Sequence, residues 1–338
     1  DLLKMAAITL EESKKNTTDD IDLNVIDEFR KESAILDSLI FDTAVNPAGG
    51  GATLTYGYRR LKTEATAATR AYNAEYADQN VTTENKTVTL AVMGGSFSVD
   101  RVLASLGPAA SGSVALNMAQ KIKSTRAKFQ ELVINGDTSK DANGFDGLDK
   151  ALTGSSTEYG KEKVTDWTDL DTNGAAFKAL DALDEFLSML DGTPTVLVGN
   201  KQVLARVRAA ARRAGMYTKN PMEGLLGPNG RPINREMYGD IILVDAGDMA
   251  GSSEQIIKVT DHQVASKAAT GLTDLYAYRV ALDGFHGVAT TTGHLVRQYL
   301  PDFTTPGAVK RGEVELGPVA VALKSTKAAA VFRNIKVR

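Results

Sequence analysis

The chain has 338 residues, with 39 Lys and Arg against 42 Asp and Glu, and no cysteine. That length buries a substantial core in one large domain or two of moderate size. A formal charge of -3 supplies no basic field for direct DNA readout, and the lack of cysteine excludes disulfides, thiolate metal sites and a cysteine nucleophile. No apolar run approaches the roughly 20 residues of a membrane helix. The first residues, Asp1 to Met5, lack the apolar stretch of a signal peptide. A soluble cytosolic protein is expected. Asp1 in place of Met fits removal of an upstream part, and Met5 is an alternative start. The sequons at Asn16, Asn80 and Asn85 would matter only in a secreted eukaryotic protein.

The chain opens with a polar arm. Ile21, Val25, Ile26, Phe29, Ile35 and Leu36 then follow at near-helical spacing up to Phe41, a short helix that needs a surface to dock on. Asn46, Pro47 and Gly49 to Gly51 form a hinge. Residues 53–93 read as a two-armed β stretch: Leu54, Tyr56, Tyr58 and Leu61 alternate on the outgoing arm, and Val81, Val88, Leu90 and Val92 lie on the returning one. An Ala/Thr-rich polar tip joins the arms. An isolated two-stranded hairpin is marginal at best and exposes two unpaired edges, so this segment is expected to lie on another subunit. A hairpin lying on its own domain is the alternative.

Gly94, Gly95 and Gly107-Pro108 break the chain before an amphipathic helix over residues 113–134. Val114, Met118, Ile122, Phe129 and Val133 share its stripe, with Lys121, Lys123, Arg126 and Lys128 off it. Asn135-Gly136 is the expected left-handed stop. The turn-rich loop after it, residues 137–148, is anchored by Phe145. A compact region follows over residues 164–283. It has a helix with Phe177, Leu180, Leu183, Leu187 and Leu190 on one face, a buried strand at 195–198, and a helix over 201–214 ended by Gly215. A Gly/Pro-rich loop at 216–235 and strands at 241–244, 255–259 and 275–282 complete it. The closing strands, 313–323 and 329–337, are expected to return to the long helix and complete the first domain's sheet.

Catalytic signatures are thin. His262, His286 and His294 never fall two to a helical face, as a zinc site needs. No phosphate-cradling Gly-Lys-Ser/Thr motif and no Gly-x-Ser-x-Gly elbow is present. Asp169, Asp171, Asn173 and Gly174 reproduce the first half of a calcium loop, but Leu180 stands where a bidentate glutamate belongs. Asp171 or Asn173 is better read as a helix cap. Arg206, Arg208, Arg212 and Arg213 form a basic run that is either a solvated face or, in an assembly, a partner for carboxylates such as Asp181, Asp184 and Glu185. No catalytic, cofactor-binding or metal-binding residue is assigned, no cofactor is expected, and the chain is read as no enzyme.

The order of these parts resembles the major capsid proteins of tailed bacteriophages, of the Hong Kong ninety-seven type. The resemblance spans nearly the whole chain. It rests on Met5 to Glu12, Glu32 to Leu39, the hairpin, Leu132 to Asp137 at the end of the long helix, and Gly144-Phe145-Asp146-Gly147-Leu148. It implies an α+β capsid fold with an N-arm (1–45), an extended hairpin or E-loop (53–93), a peripheral domain with the long spine helix (94–163 and 284–338), and an axial domain (164–283).

By the same resemblance the function is structural. Subunits would self-assemble into pentamers and hexamers of an icosahedral shell around double-stranded DNA, held without sequence-specific binding and without a membrane. Scaffolding, portal and decoration proteins are implied partners, and a virion built in the host bacterial cytoplasm is the implied location. Some relatives join an E-loop lysine to a neighbour's asparagine. Lys62 lies in the matching region, but no motif transfers the partner or the catalytic carboxylate, and cross-linking is not expected. Two alternatives stand: a bacterial encapsulin-type nanocompartment shell, and an α/β enzyme with an unrecognised site.

Overall fold

The computed structural model describes residues 35, 38–45, 54–104, 108–215, 218–226, 232–290 and 296–338, with side chains described outside 108–113, 218–226 and 232–235. The first part holds β1 (Phe41–Val45), β2 (Thr55–Thr63), β3 (Thr82–Thr89), β4 (Ala91–Asp100), a short α1 (Arg101–Ala104) and the long α2 (Pro108–Asn135). The middle holds α3 (Leu148–Leu152), β5 (Glu158–Tyr159), β6 (Thr165–Asp166), α4 (Ala175–Leu187), β7 (Val196–Gly199) and α5 (Lys201–Arg213). It continues with β8 (Thr218–Leu226), β9 (Pro232–Tyr238), β10 (Ile241–Asp245), β11 (Thr260–Val264) and β12 (Lys267–Tyr278). The chain closes with β13 (Phe285–Thr290), β14 (Val296–Tyr299), β15 (Val309–Leu323) and β16 (Ala329–Lys336). The fold is α+β, as expected.

Most of the helix expected up to Phe41 lies outside the described residues. Ile35 and Ser38 are helical, but Phe41 begins β1. It pairs in parallel with Gly287 on β13, where a Cβ would come within 2.4 Å of the Phe41 ring. A run of apolar residues this short does not distinguish helix from strand by periodicity alone.

The hairpin forms as read, with β2 and β3 as a two-stranded antiparallel sheet of their own. Its returning arm ends sooner than 93. At Leu90 the chain leaves the hairpin, and β4 joins a five-stranded sheet by pairing with β15, beside the path β1-β13-β15-β14. Gly94 and Gly95 therefore lie inside a strand. A Cβ on Gly94 would sit 1.9 Å from the Val314 carbonyl oxygen, so glycine is needed for close approach.

The second sheet has nine strands, ordered β5-β16-β12-β7-β10-β9-β8, with β6 on β16 and β11 on β12. Both of its faces are buried. Val196, Val198, Tyr276, Tyr278 and Val331 face one core with Phe129 and Val133 of α2. Leu197, Leu275, Ala277, Ala330 and Phe332 face a second core under α4 and α5. The closing strands thus part company: β15 joins the five-stranded sheet, whereas β16 lies inside the nine-stranded one. The reason is in its sequence. An unbroken apolar run such as Ala329 to Phe332 needs burial on both faces, and β16 gets it in the nine-stranded sheet, where Ala329 and Val331 face one core and Ala330 and Phe332 the other.

Other expectations shift for local reasons. The loop read at 216–235 contains the β8–β9 hairpin, and Pro221 is tolerated because β8 is the sheet's edge. Residues 255–259 form no strand, because the Ile256 and Ile257 carbonyls accept from the Asn135 and Asn200 side-chain amides at 2.7 and 3.0 Å. The strand there starts at Thr260, and the one expected at 275–282 runs from Lys267 to Tyr278. Phe177, expected on the buried face of α4, is 60% exposed, while Leu180, Leu183 and Leu187 are buried.

The helix stripe of α2 holds. Met118, Phe129 and Val133 are buried, and Val114 and Ile122 pack against Phe97 and Val314. The helix starts earlier than expected, at Pro108, where a missing N–H has no intrahelical partner to lose. Gly136 does stop it, but not by a left-handed turn, since its φ is not positive. A Cβ there would come 2.1 Å from the Phe145 carbonyl and 2.4 Å from that of Leu132. The Gly147 N–H donates to the Gly136 carbonyl at 2.8 Å, and the Phe145 ring lies 5.9 Å from Phe129. Glycine at 136 and 147 lets the loop close onto the helix end.

Candidate assembly surface

Among the described residues the hairpin is anchored at its base. Tyr56 is buried and donates its hydroxyl to Asp42 at 2.7 Å, with Lys324 5.5 Å over its ring and the His286 ring edge-on at 5.8 Å. Tyr58 and Arg60 both donate to the Leu323 carbonyl, at 3.2 and 2.7 Å. Burial, then the bond to Asp42, pushes the Tyr56 phenol well above its usual range. Burial raises the Asp42 carboxyl, but the bonds from Tyr56 and the Ala44 N–H, with Lys324, more than offset this and leave it low.

Beyond Arg60 the picture reverses. Every residue from 61 to 83 is exposed. Thr63 and Thr82 share a hydroxyl contact of 2.8 Å, and Gln79 bridges the arms by accepting from Thr66 N–H and donating to the Glu64 carbonyl, each at 3.0 Å. Arg70 lies 5.6 Å over the Tyr76 ring, and Tyr72 is 96% exposed. The ladder ends at Thr63 and Thr82, and Leu61, Tyr72, Tyr76 and Val81 at its end and in the tip beyond it are exposed. Tyr299 at the end of β14, Leu300 and Phe303 after it, and Val309 at the start of β15 are also exposed.

Solved structures share this fold over nearly the full length. A chain of the capsid of a native GTA particle, computed with C5 symmetry, matches with TM-score 0.54 and 11% identity, covering 92% of this chain and 93% of that one. The capsid of Myoviridae phage XM1 matches with TM-score 0.54 and 11% identity, over 94% and 97%. The holo-SrpI encapsulin complex of Synechococcus elongatus PCC 7942 matches with TM-score 0.52 and 14% identity, over 97% of both chains. The chain has the Hong Kong ninety-seven capsid fold. No family model and no curated protein matches the sequence.

In that fold β2 and β3 are the E-loop and α2 the spine helix. Lys62 is exposed on the E-loop strand β2. The basic run is mostly spoken for within the chain. Arg208 pairs with Glu236, Arg213 donates to Asp171 at 2.6 Å, and Arg206 donates to the carbonyls of Thr168 and Val337. Asp184 instead accepts from Tyr238 at 2.7 Å.

The half calcium loop holds its own turn. Asp169 accepts from the Asp171 N–H at 2.9 Å and the Thr172 hydroxyl at 2.5 Å. Neither Asp171 nor Asn173 caps α4; Gly174, at φ 68°, occupies the cap position. Among the described residues no group of three His, Asp or Glu side chains could hold a metal, and no helix is long and apolar enough to cross a membrane.

His262 bonds Asn334 at 2.8 Å, and His294 lies outside the described residues. His286 is fully buried, with Nδ1 donating to the Gly287 carbonyl at 2.8 Å. Sequence reading missed the anchoring set Asp42, His286 and Lys324, because these residues are far apart in the chain and meet only through the β1–β13–β15 pairing.

Proposed function

We propose that this chain is the structural subunit of a bacteriophage-type icosahedral capsid, self-assembling into pentamers and hexamers that enclose double-stranded DNA. The single observation that carries this reading is the E-loop. Its ladder is anchored at one end, and the far end with the irregular tip beyond it, residues 61–83, is exposed throughout, in a chain whose fold matches capsid chains over nearly their full length. Such an arm gains burial by lying across another copy. A near-neutral chain suits a wall around DNA, since a strongly basic lining would bind the polyphosphate backbone.

The N-arm, peripheral domain and axial domain are part of this proposal, with β16 carried into the axial sheet. So are scaffolding, portal and decoration proteins as partners, a virion location with assembly in the host cytoplasm, and a role without catalysis or cofactor. Electron microscopy of the purified protein tests the reading: closed icosahedral particles are expected, and isolated globules at every concentration would overturn it. The encapsulin likeness favours a second reading, a shell around an enzyme. Nuclease-protected DNA inside particles from infected or induced cells selects the first, and a protein cargo selects the second.

A further inference from the structure

The axial helices carry opposite charge on their open faces. α5 bears Lys201, Arg206, Arg208, Arg212 and Arg213 and no acidic residue. α4 bears Asp181, Asp184 and Glu185 against Lys178 alone. The two helices share one core yet do not neutralise each other. The arginines that find carboxylates find Glu236 and Asp171 instead. Arg212 and Asp181 are both exposed, and neither has an ion pair or hydrogen-bond partner among the described residues.

The apolar part of the pattern fits the charges. Phe177 is 60% exposed and lies one helical turn before Asp181, with Glu185, whose carboxylate is also bonded to the Tyr159 hydroxyl, one turn further, so the three share a face. On α5, Lys201, Ala205, Arg208 and Arg212 share a face at alternating four- and three-residue spacing, with the exposed Ala205 the one small residue among cations. At 1.5 Å per residue, Phe177 and Glu185 are about 12 Å apart along their helix, and Ala205 and Arg212 about 10.5 Å along theirs. A phenyl ring over Ala205 thus brings an α4 carboxylate to Arg212.

We infer that α4 of one copy docks on α5 of a second copy, with Phe177 over Ala205 and Asp181 and Glu185 paired with Arg212. The contact joins two different faces, so it is heterologous and propagates around a ring. This rests on the shell reading above and names the surface that closes its capsomers.

Charge reversal tests it, read by sedimentation and native mass spectrometry across a concentration series. Arg212→Glu alone, and Asp181→Lys with Glu185→Lys, should each raise the concentration of half-assembly by about ten-fold or more, because like charges then face each other. All three changes in one chain should restore assembly to near the wild-type level, which also shows that the variants fold. Single-face variants that assemble like the wild type, or a combined variant no better than either, would overturn the inference while leaving the shell reading intact. A wild-type chain that stays monomeric would overturn both.

Discussion

The nine-stranded sheet and the E-loop hairpin are both alternating β structure, yet they meet opposite surroundings. Strands β7, β12 and β16 send successive side chains into two separate cores, and both are filled. Strands β2 and β3 alternate in the same way, but past Arg60 both faces meet solvent. The comparison separates two things that one pattern encodes. Alternation makes the strand; burial is supplied by whatever lies on it, which for the sheet is the same chain and, under the shell reading, would be a second copy for the hairpin. Damage to the sheet should therefore register in the isolated subunit, and damage to the hairpin tip in the assembly.

The largest effect is expected at Phe332. It is fully buried, with Tyr159, Trp167 and Phe186 ring centroids at 4.7, 5.6 and 5.4 Å. Phe332→Ala should cost about 3–5 kcal/mol in denaturant unfolding of the dissociated chain. A loss under about 1 kcal/mol would erase the contrast between the two regions. Gly136→Ala comes next. Its Cβ has no room beside the Phe145 and Leu132 carbonyls, and both belong to backbone that must shift. A loss of about 1–3 kcal/mol is expected in the same measurement, and an unchanged midpoint would mean that the loop yields freely.

What the sequence made legible follows the same division. The hairpin, the α2 stripe and the α4–β7–α5 order were readable because each is written in local periodicity. Phe177 misled because apolar spacing cannot report that one position flanking the stripe is left exposed by the tertiary packing. Gly136 was identified as a stop for the wrong reason, because close approach of the Phe145 carbonyl is a tertiary fact. The partition of β15 and β16 between sheets was hidden in the same way. The assembly surface was legible as a segment with nothing local to pack on. Its anchor was not, because Asp42, His286 and Lys324 converge only in three dimensions.

That anchor gives the next effect, a pH dependence. Burial holds His286 below its ordinary pKa, and Nε2 has no hydrogen-bond partner among the described residues. The groups facing it are Asp42 on β1, the Tyr56 ring on β2 and Lys324 after β15. Between the folded value and about 6.5 the unfolded chain binds the extra proton, so stability falls as pH drops through that window, by at most about 1.4 kcal/mol per unit. Above about 6.5 this contribution is flat. Asp42, held low, adds its own loss only below the ordinary carboxyl value of 3.8. Unfolding of the dissociated chain between pH 7.5 and pH 5.5 should show the slope and His286→Phe should remove it; a slope that survives the substitution would assign it to other groups. Arg60→Ala, which loses the 2.7 Å bond to the Leu323 carbonyl, should cost about 1 kcal/mol. Hydrogen exchange would report it as faster opening of β2 with the sheet amides unchanged. Equal acceleration in both would show that the hairpin base and the sheet open as one unit.

The smallest effect in the isolated chain is the sharpest test of the comparison. Tyr72, at 96% exposure, is nearly all in water, and Tyr76 nearby is 61% exposed with Arg70 over its ring. Tyr72→Ser with Tyr76→Ser should change subunit stability by no more than about 0.5 kcal/mol, as surface substitutions do. If the tip lies on a second copy, the same pair should raise the concentration at which half the chains assemble, because two aromatic side chains then lose a buried contact. A stability loss in the dissociated chain would mean that the tip already packs on its own subunit. Unchanged assembly would mean that the tip stays in water within the particle, and the rationale for a long hairpin would move to its base.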